Sequence, residues 1–111
     1  MASTLAYEPL MTDQTKAQIE DSEVEQRHRE AEEEFRYIGA FLAMWRKQEK
    51  LTQTQVGDLV GRSRVWVSQV ERGENDSLTS FMLYAKALEQ PFSYFVAMAE
   101  NAAAKEHKLK G

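Results

Sequence analysis

Hydrophobic residues recur along this chain at helical spacing, and no strand-like alternation interrupts them. Ala17, Val24, Ala31, Ile38 and Trp45 return every seven residues, and His28, Phe35 and Leu42 follow at a four-residue offset. That is a 3–4 stripe on one side of a helix. No proline falls between residues 14 and 48, and only Gly39 interrupts good helix formers there. The stripe weakens towards the N-terminus, where Asp21 occupies the matching position. Residues 1–13 have no periodicity and contain Pro9, which predicts a disordered or partner-dependent start. Two readings of residues 14–36 stand side by side: a solvated, acidic, partly frayed helix, or a helix that pairs with another in a dimer or a partner protein.

From Ile38 onward the chain is densely punctuated. Phe41, Leu42 and Trp45 give a first compact helix its apolar face, and Leu51-Thr52 closes that unit. Thr52 then caps a second helix through Val56, Leu59 and Val60, which Gly61 ends in a left-handed C′ position. Ser63 caps a third helix, with Val67 and Val70 on one side and Arg64, Ser68, Gln69 and Arg72 on the other, and Gly73 stops it. After an Asn75-Asp76 turn, Ser77 caps a fourth helix whose predicted inward face is Leu78, Phe81, Met82, Ala85 and Leu88. Pro91 opens a fifth, lined by Phe92, Phe95, Val96 and Ala99, and the basic tail from Lys105 is expected to fray. The fold class is therefore all-α, five short helices after a helical arm.

Charge divides the chain unevenly. The 111 residues carry 14 basic and 18 acidic side chains, a net charge of −4. Residues 1–37 hold 10 of the acids against 4 bases, whereas residues 38–111 hold 8 acids against 10 bases. Screening at physiological salt limits each charge to about 8 Å, so a basic face can hold phosphates although a distant arm is acidic. The predicted organisation is an acidic arm over 1–37, a domain over 38–97, and a helix end with a basic tail over 98–111.

The segment from Leu51 to Gly73 has a signature of its own. Two short helices meet at a tight turn containing glycine, the plan of a helix-turn-helix. The second exposes residue types suited to a DNA groove, since Arg pairs bidentately with guanine and Gln with adenine. Small Ser68 lets the backbone approach. On these residues the chain resembles the repressor/Cro class of helix-turn-helix domains, the XRE family. The match lies in Leu51-Thr52-Gln53 opening helix two, Gly61 and Ser63 at the turn, and Val67, Ser68, Val70, Glu71 and Gly73 closing helix three. It continues through Ser77-Leu78-Thr79-Ser80-Phe81 and Ala85-Lys86-Ala87-Leu88, and covers residues 38 to about 97. The resemblance implies a five-helix, lambda-repressor-like DNA-binding domain, with its motif at about 53–72. It also implies a homodimer on a pseudo-palindromic double-stranded DNA operator. Two positions depart from the family pattern: Gly57, where alanine is usual, and Arg62, where a buried aliphatic is usual.

The resemblance also assigns roles. Gln53 corresponds to the position that touches the DNA backbone and buttresses helix three. Arg64 and Gln69 are the expected base readers, and Val65 is placed to meet a thymine methyl. Ser63 serves as cap and phosphate donor, and Ser68 provides close approach. Trp66 either donates its indole N–H to a phosphate or packs partly into the core. Arg72 and Lys50 are expected at phosphates, as are Asn75 and Ser77 near the start of helix four. Arg46 and Glu71 match a structural pair bridging helices one and three.

Other chemistries find little support. Zero cysteines exclude disulfides, thiolate metal sites and a cysteine nucleophile. His28 and His107 are isolated from such partners, and no glycine-rich phosphate loop or nucleophile elbow occurs. No catalytic residue, metal or cofactor is expected. The start shows no secretory signal pattern and no window suits a membrane span, so a cytoplasmic protein is expected. The leading function is a transcriptional regulator acting as a repressor. The alternative is an antitoxin of a toxin–antitoxin operon, whose acidic arm covers a basic toxin. The dimer surface stays open between Phe92, Tyr94, Phe95 and Met98 and the heptad arm.

Overall fold

Helix-favouring sequence without an internal breaker produces a first helix, α1, that runs from Asp21 to Gln48 in the computed structural model, which describes residues 21–75 and 77–110. Four more follow: α2 (Gln53–Val60), α3 (Arg64–Glu71), α4 (Leu78–Ala87) and α5 (Phe92–Lys110). Helix is the only regular secondary structure among the described residues. The expected arm helix and first domain helix are thus a single element. The readings of residues 1–13, of Ala17 and of Asp76 lie outside the described residues.

The chain separates into two compact units, residues 1–30 and 31–111. In the first, the described part is helical and almost wholly exposed. Its side chains interact along the helix: Gln26 Nε2 donates to Glu30 at 3.1 Å, and Arg29 lies 4.0 Å from Glu25. Such exposed pairs contribute only tenths of a kcal/mol, about 0.2–0.5 each. Val24, a member of the heptad stripe, is exposed.

The second unit has one apolar core. Ile38 and Leu42 of α1, Val56 of α2, Val67 and Val70 of α3, and Phe81, Tyr84 and Ala85 of α4 meet Leu88 and the α5 residues Phe95 and Ala99. Rings extend this core. Phe81 lies stacked between Phe35 at 5.5 Å and Phe92 at 6.2 Å, while Trp45 meets Phe95 and Tyr94 edge-on. Phe35 and Tyr37 therefore pack with the domain, although they fall on the arm side of the charge division.

Two expectations change here. The inward face of α4 is Phe81, Tyr84 and Ala85, leading to Leu88, whereas Leu78 (59% exposed) and Met82 (42% exposed) face outward. The stripe is rotated because Tyr84, polar at its tip, is drawn in by a hydrogen-bond partner described below. The basic tail is also helical rather than frayed, since α5 continues to Lys110. Ala103 is buried, and the Tyr37 hydroxyl donates to the Glu106 carboxylate, tying α5 to α1. That carboxylate, ahead of burial, raises the Tyr37 hydroxyl pKa.

Candidate nucleic-acid interface

The turn between α2 and α3 is built by caps and by the absence of a side chain. Thr52 Oγ1 accepts the Gln55 backbone N–H at 3.0 Å, and Gln55 Oε1 accepts the Thr52 N–H at 2.8 Å. This reciprocal box satisfies two donors at the start of α2. Gly61 ends the helix at φ 68°, and the Arg62 N–H returns to the Gly57 carbonyl at 2.8 Å. A Cβ built on Gly57 would stand 2.4 Å from the Arg62 carbonyl oxygen. The departure at Gly57 is thereby explained: the turn folds back too closely for alanine. Ser63 Oγ then accepts the Trp66 N–H at 3.1 Å and starts α3.

With Val67 and Val70 buried, the opposite side of α3 faces outward. Arg64, Val65, Gln69 and Arg72 are exposed, as is Ser63, while Trp66 and Ser68 are half-buried. Trp66 leans against the core and carries the Arg62 guanidinium 5.9 Å above its ring. Arg62, the second departure, thus stays in solvent and covers an aromatic face. Gln53 is half-buried and reaches across the motif. Its Nε2 donates to Glu71 at 3.0 Å, and its Oε1 accepts from Arg64 at 3.4 Å. Ser68 Oγ accepts from Arg72, whose Nε and Nη2 also donate to Glu74, each at 2.9 Å. Asn75 Oδ1 accepts the Ser77 N–H at 3.1 Å, and Ser77 Oγ accepts the Ser80 N–H at 3.3 Å.

Beneath this surface Glu71 gathers donors from three other elements. Arg46 Nε and Nη2 reach its two oxygens at 2.6 and 3.2 Å, and the Tyr84 hydroxyl donates to it beside Gln53. Arg46 also donates to the Leu51 carbonyl at 2.8 Å, which fixes the loop leading into α2. Burial pushes the Glu71 carboxyl up, but Arg46, Tyr84 and Gln53 outweigh it and hold the group below the ordinary carboxylate range. The Glu71 bond raises Arg46 against the lowering effect of burial. Burial first, and then the bond to Glu71, pushes the Tyr84 hydroxyl strongly up. Gln53 consequently has both ends of its amide committed, one to the buried carboxylate and one to Arg64.

Sequence reasoning missed Tyr84 and Glu74. A tyrosine three residues after Phe81, on an apolar stripe, signals a hydroxyl in need of a partner. Glu74 had no such signal, because its pairing depends on how the chain turns after α3. Among the described residues no group of three or more acidic or histidine side chains is placed to hold a metal. No helix among them is long and apolar enough to cross a membrane.

A family model described as a helix-turn-helix domain matches residues 38–88, the span from the middle of α1 to the end of α4. No curated protein and no solved structure matches the chain.

Proposed function

This chain carries a helix-turn-helix domain over residues 38–88, and from that premise we propose that it is a sequence-specific transcriptional regulator. It acts as a dimeric repressor in the cytoplasm, laying α3 in the major groove of a pseudo-palindromic operator and occluding a promoter. The observation that carries this reading is the outward side of α3, where Arg64, Val65 and Gln69 are exposed above buried Val67 and Val70. Arg64 and Gln69 read base edges, and Val65 meets a thymine methyl. Gln53 buttresses Arg64, while Ser63 and Trp66 lie where phosphates flank the groove, and Ser68 permits close approach.

Selection of binding sites from random duplexes tests this directly. It should return a two-fold symmetric site with half-sites about 34–36 Å apart. Arg64→Ala should cost about 1–3 kcal/mol and relax preference at one operator position. If both affinity and preference stay unchanged in competition, Arg64 is not a base reader. For the dimer surface, Phe92 and Phe95 pack within the domain, which leaves Tyr94 as the exposed aromatic of α5. Light scattering of a chain lacking residues 1–30 separates that surface from the arm.

One observation favours a second reading, the antitoxin. Between Asp21 and Glu30 the helix carries Asp21, Glu23, Glu25 and Glu30 against Arg27 and Arg29, nearly all in solvent. Such a segment suits a basic protein partner. An adjacent gene for a small basic protein, and its release on removal of residues 1–30 with operator binding intact, would support it.

A further inference from the structure

Arg64 and Ser68 of α3 and Arg72 at its C-cap follow one another at four-residue spacing. The last of them is already engaged. Arg72 places Nε and Nη2 on the two oxygens of Glu74, each at 2.9 Å, and Nη1 on Ser68 Oγ. Three of its five N–H groups are thus used within the chain. This two-pronged fit is the one an arginine makes with a phosphate. The Glu74 carboxylate presents its two oxygens to that fork.

The pair is positioned rather than a chance meeting of two long side chains. Gly73, at φ 71°, turns the chain back across the end of α3, and the Glu74 N–H donates to the Gln69 carbonyl at 2.9 Å. Both side chains are 55% exposed, so a duplex reaches them. Between Gly61 and Asn75 the exposed cations are Arg62, Arg64 and Arg72, and Glu74 is the only exposed acid, since Glu71 is held by Arg46.

We propose that Glu74 is an internal substitute for a DNA phosphate, closing the Arg72 fork and holding down the affinity of the domain for any duplex. The inference rests on the regulator reading, in which α3 faces DNA. A phosphate that captures Arg72 must displace a carboxylate already seated there. Arg72 then gives little net release of counterions, and the salt dependence of binding is shallower than the count of exposed arginines suggests.

Salt titrations of the full-length chain, on the selected duplex and on an unrelated one, test this. Glu74→Gln should tighten binding to both and steepen the log–log salt slope by about 0.9. That slope adds an about 3.5-fold loss of affinity between 50 and 200 mM salt. The gain should fall by at least half when Glu74→Gln is made in an Arg72→Ala background. Thermal unfolding of the exposed Glu74→Gln variant should match the wild type. Unchanged or weaker binding by Glu74→Gln overturns the proposal, weaker binding meaning that Glu74 orients Arg72 for DNA instead. A gain equally large without Arg72 overturns it too. A wild-type chain that enriches no duplex overturns the regulator reading and this one with it, whereas an unaltered slope on a selected duplex strikes Glu74 alone.

Discussion

At Glu71 two opposing effects act on one carboxylate: burial favours the neutral acid, and the donors from Arg46, Tyr84 and Gln53 favour the anion. The donors prevail. Arg46 and Glu71 side chains are only 10% and 9% exposed, so solvent screens the pair weakly. Removing one partner of such a buried pair costs about 3–5 kcal/mol, because the other charge is left uncompensated. Tyr84→Phe is the milder probe, since it keeps the ring in the core. It should cost about 1.5–3 kcal/mol in chemical denaturation, the value of one hydrogen bond to a charged acceptor. The pH dependence follows from the lowered Glu71 pKa. As pH falls, the unfolded chain takes up this proton before the folded one does. The stabilisation is therefore present above the ordinary carboxylate pKa and is lost as pH falls through the folded value. Glu71→Gln should start less stable and show a smaller acid loss, measured by denaturation at a series of pH values.

At the scale of elements, close approach matters more than helix propensity. Gly57 and Gly39 both lie inside helices, where glycine costs about 1 kcal/mol relative to alanine. A Cβ on Gly39 would come within 2.5 and 2.6 Å of the Val70 and Glu71 carbonyl oxygens, and one on Gly57 within 2.4 Å of that of Arg62. All three obstacles are backbone atoms that a rotamer change cannot move. Overpacking of this kind costs about 1–3 kcal/mol, enough to cancel or exceed the gain in propensity. Gly57→Ala should thus lower the thermal midpoint rather than raise it, and should weaken DNA binding by pushing the start of α3 outward. A raised midpoint with unchanged binding would show that the turn relaxes freely. The Gly39 contact has a second consequence: it brings α1 against the end of α3, so that Arg46 can reach Glu71.

For the whole molecule, net charge is a poor guide to its surface. The chain as a whole is at −4, and removing residues 1–30, with 7 acids and 3 bases, brings the remainder to zero. The exposed residues on the outward side of α3 all lie in the part that is kept. At about 150 mM salt, where charges act over about 8 Å, operator affinity of the truncated chain should match the full-length chain within a few-fold. At about 10 mM, where the range grows to about 30 Å, the truncated chain should bind more tightly. A large change at physiological salt would instead give the arm a direct part in DNA binding. Phe35, which stacks on Phe81, must stay in the truncated chain, so the cut belongs at residue 30 and not at the charge boundary after Tyr37.

Local chemistry alone determined the helical class, the caps at Thr52, Ser63 and Ser77, the stop at Gly61, and the division of α3 into buried Val67 and Val70 and an outward polar side. Each depends on residues within about one helical turn, and there the local preferences agree with the packing. The Arg46–Glu71 pair was legible only through the family resemblance, since its members are 25 positions apart. Tertiary packing decided the rest. It turned Tyr84 inward to a carboxylate on another helix, left Leu78 and Met82 outside, and carried α5 on to Lys110 through Ala103 and Glu106. It also set Glu74 on Arg72, because only the path of the chain after Gly73 brings that carboxylate to the fork. Spacing along a sequence reports which side of a helix a residue occupies, but the partner on that side is chosen by the helices that pack there.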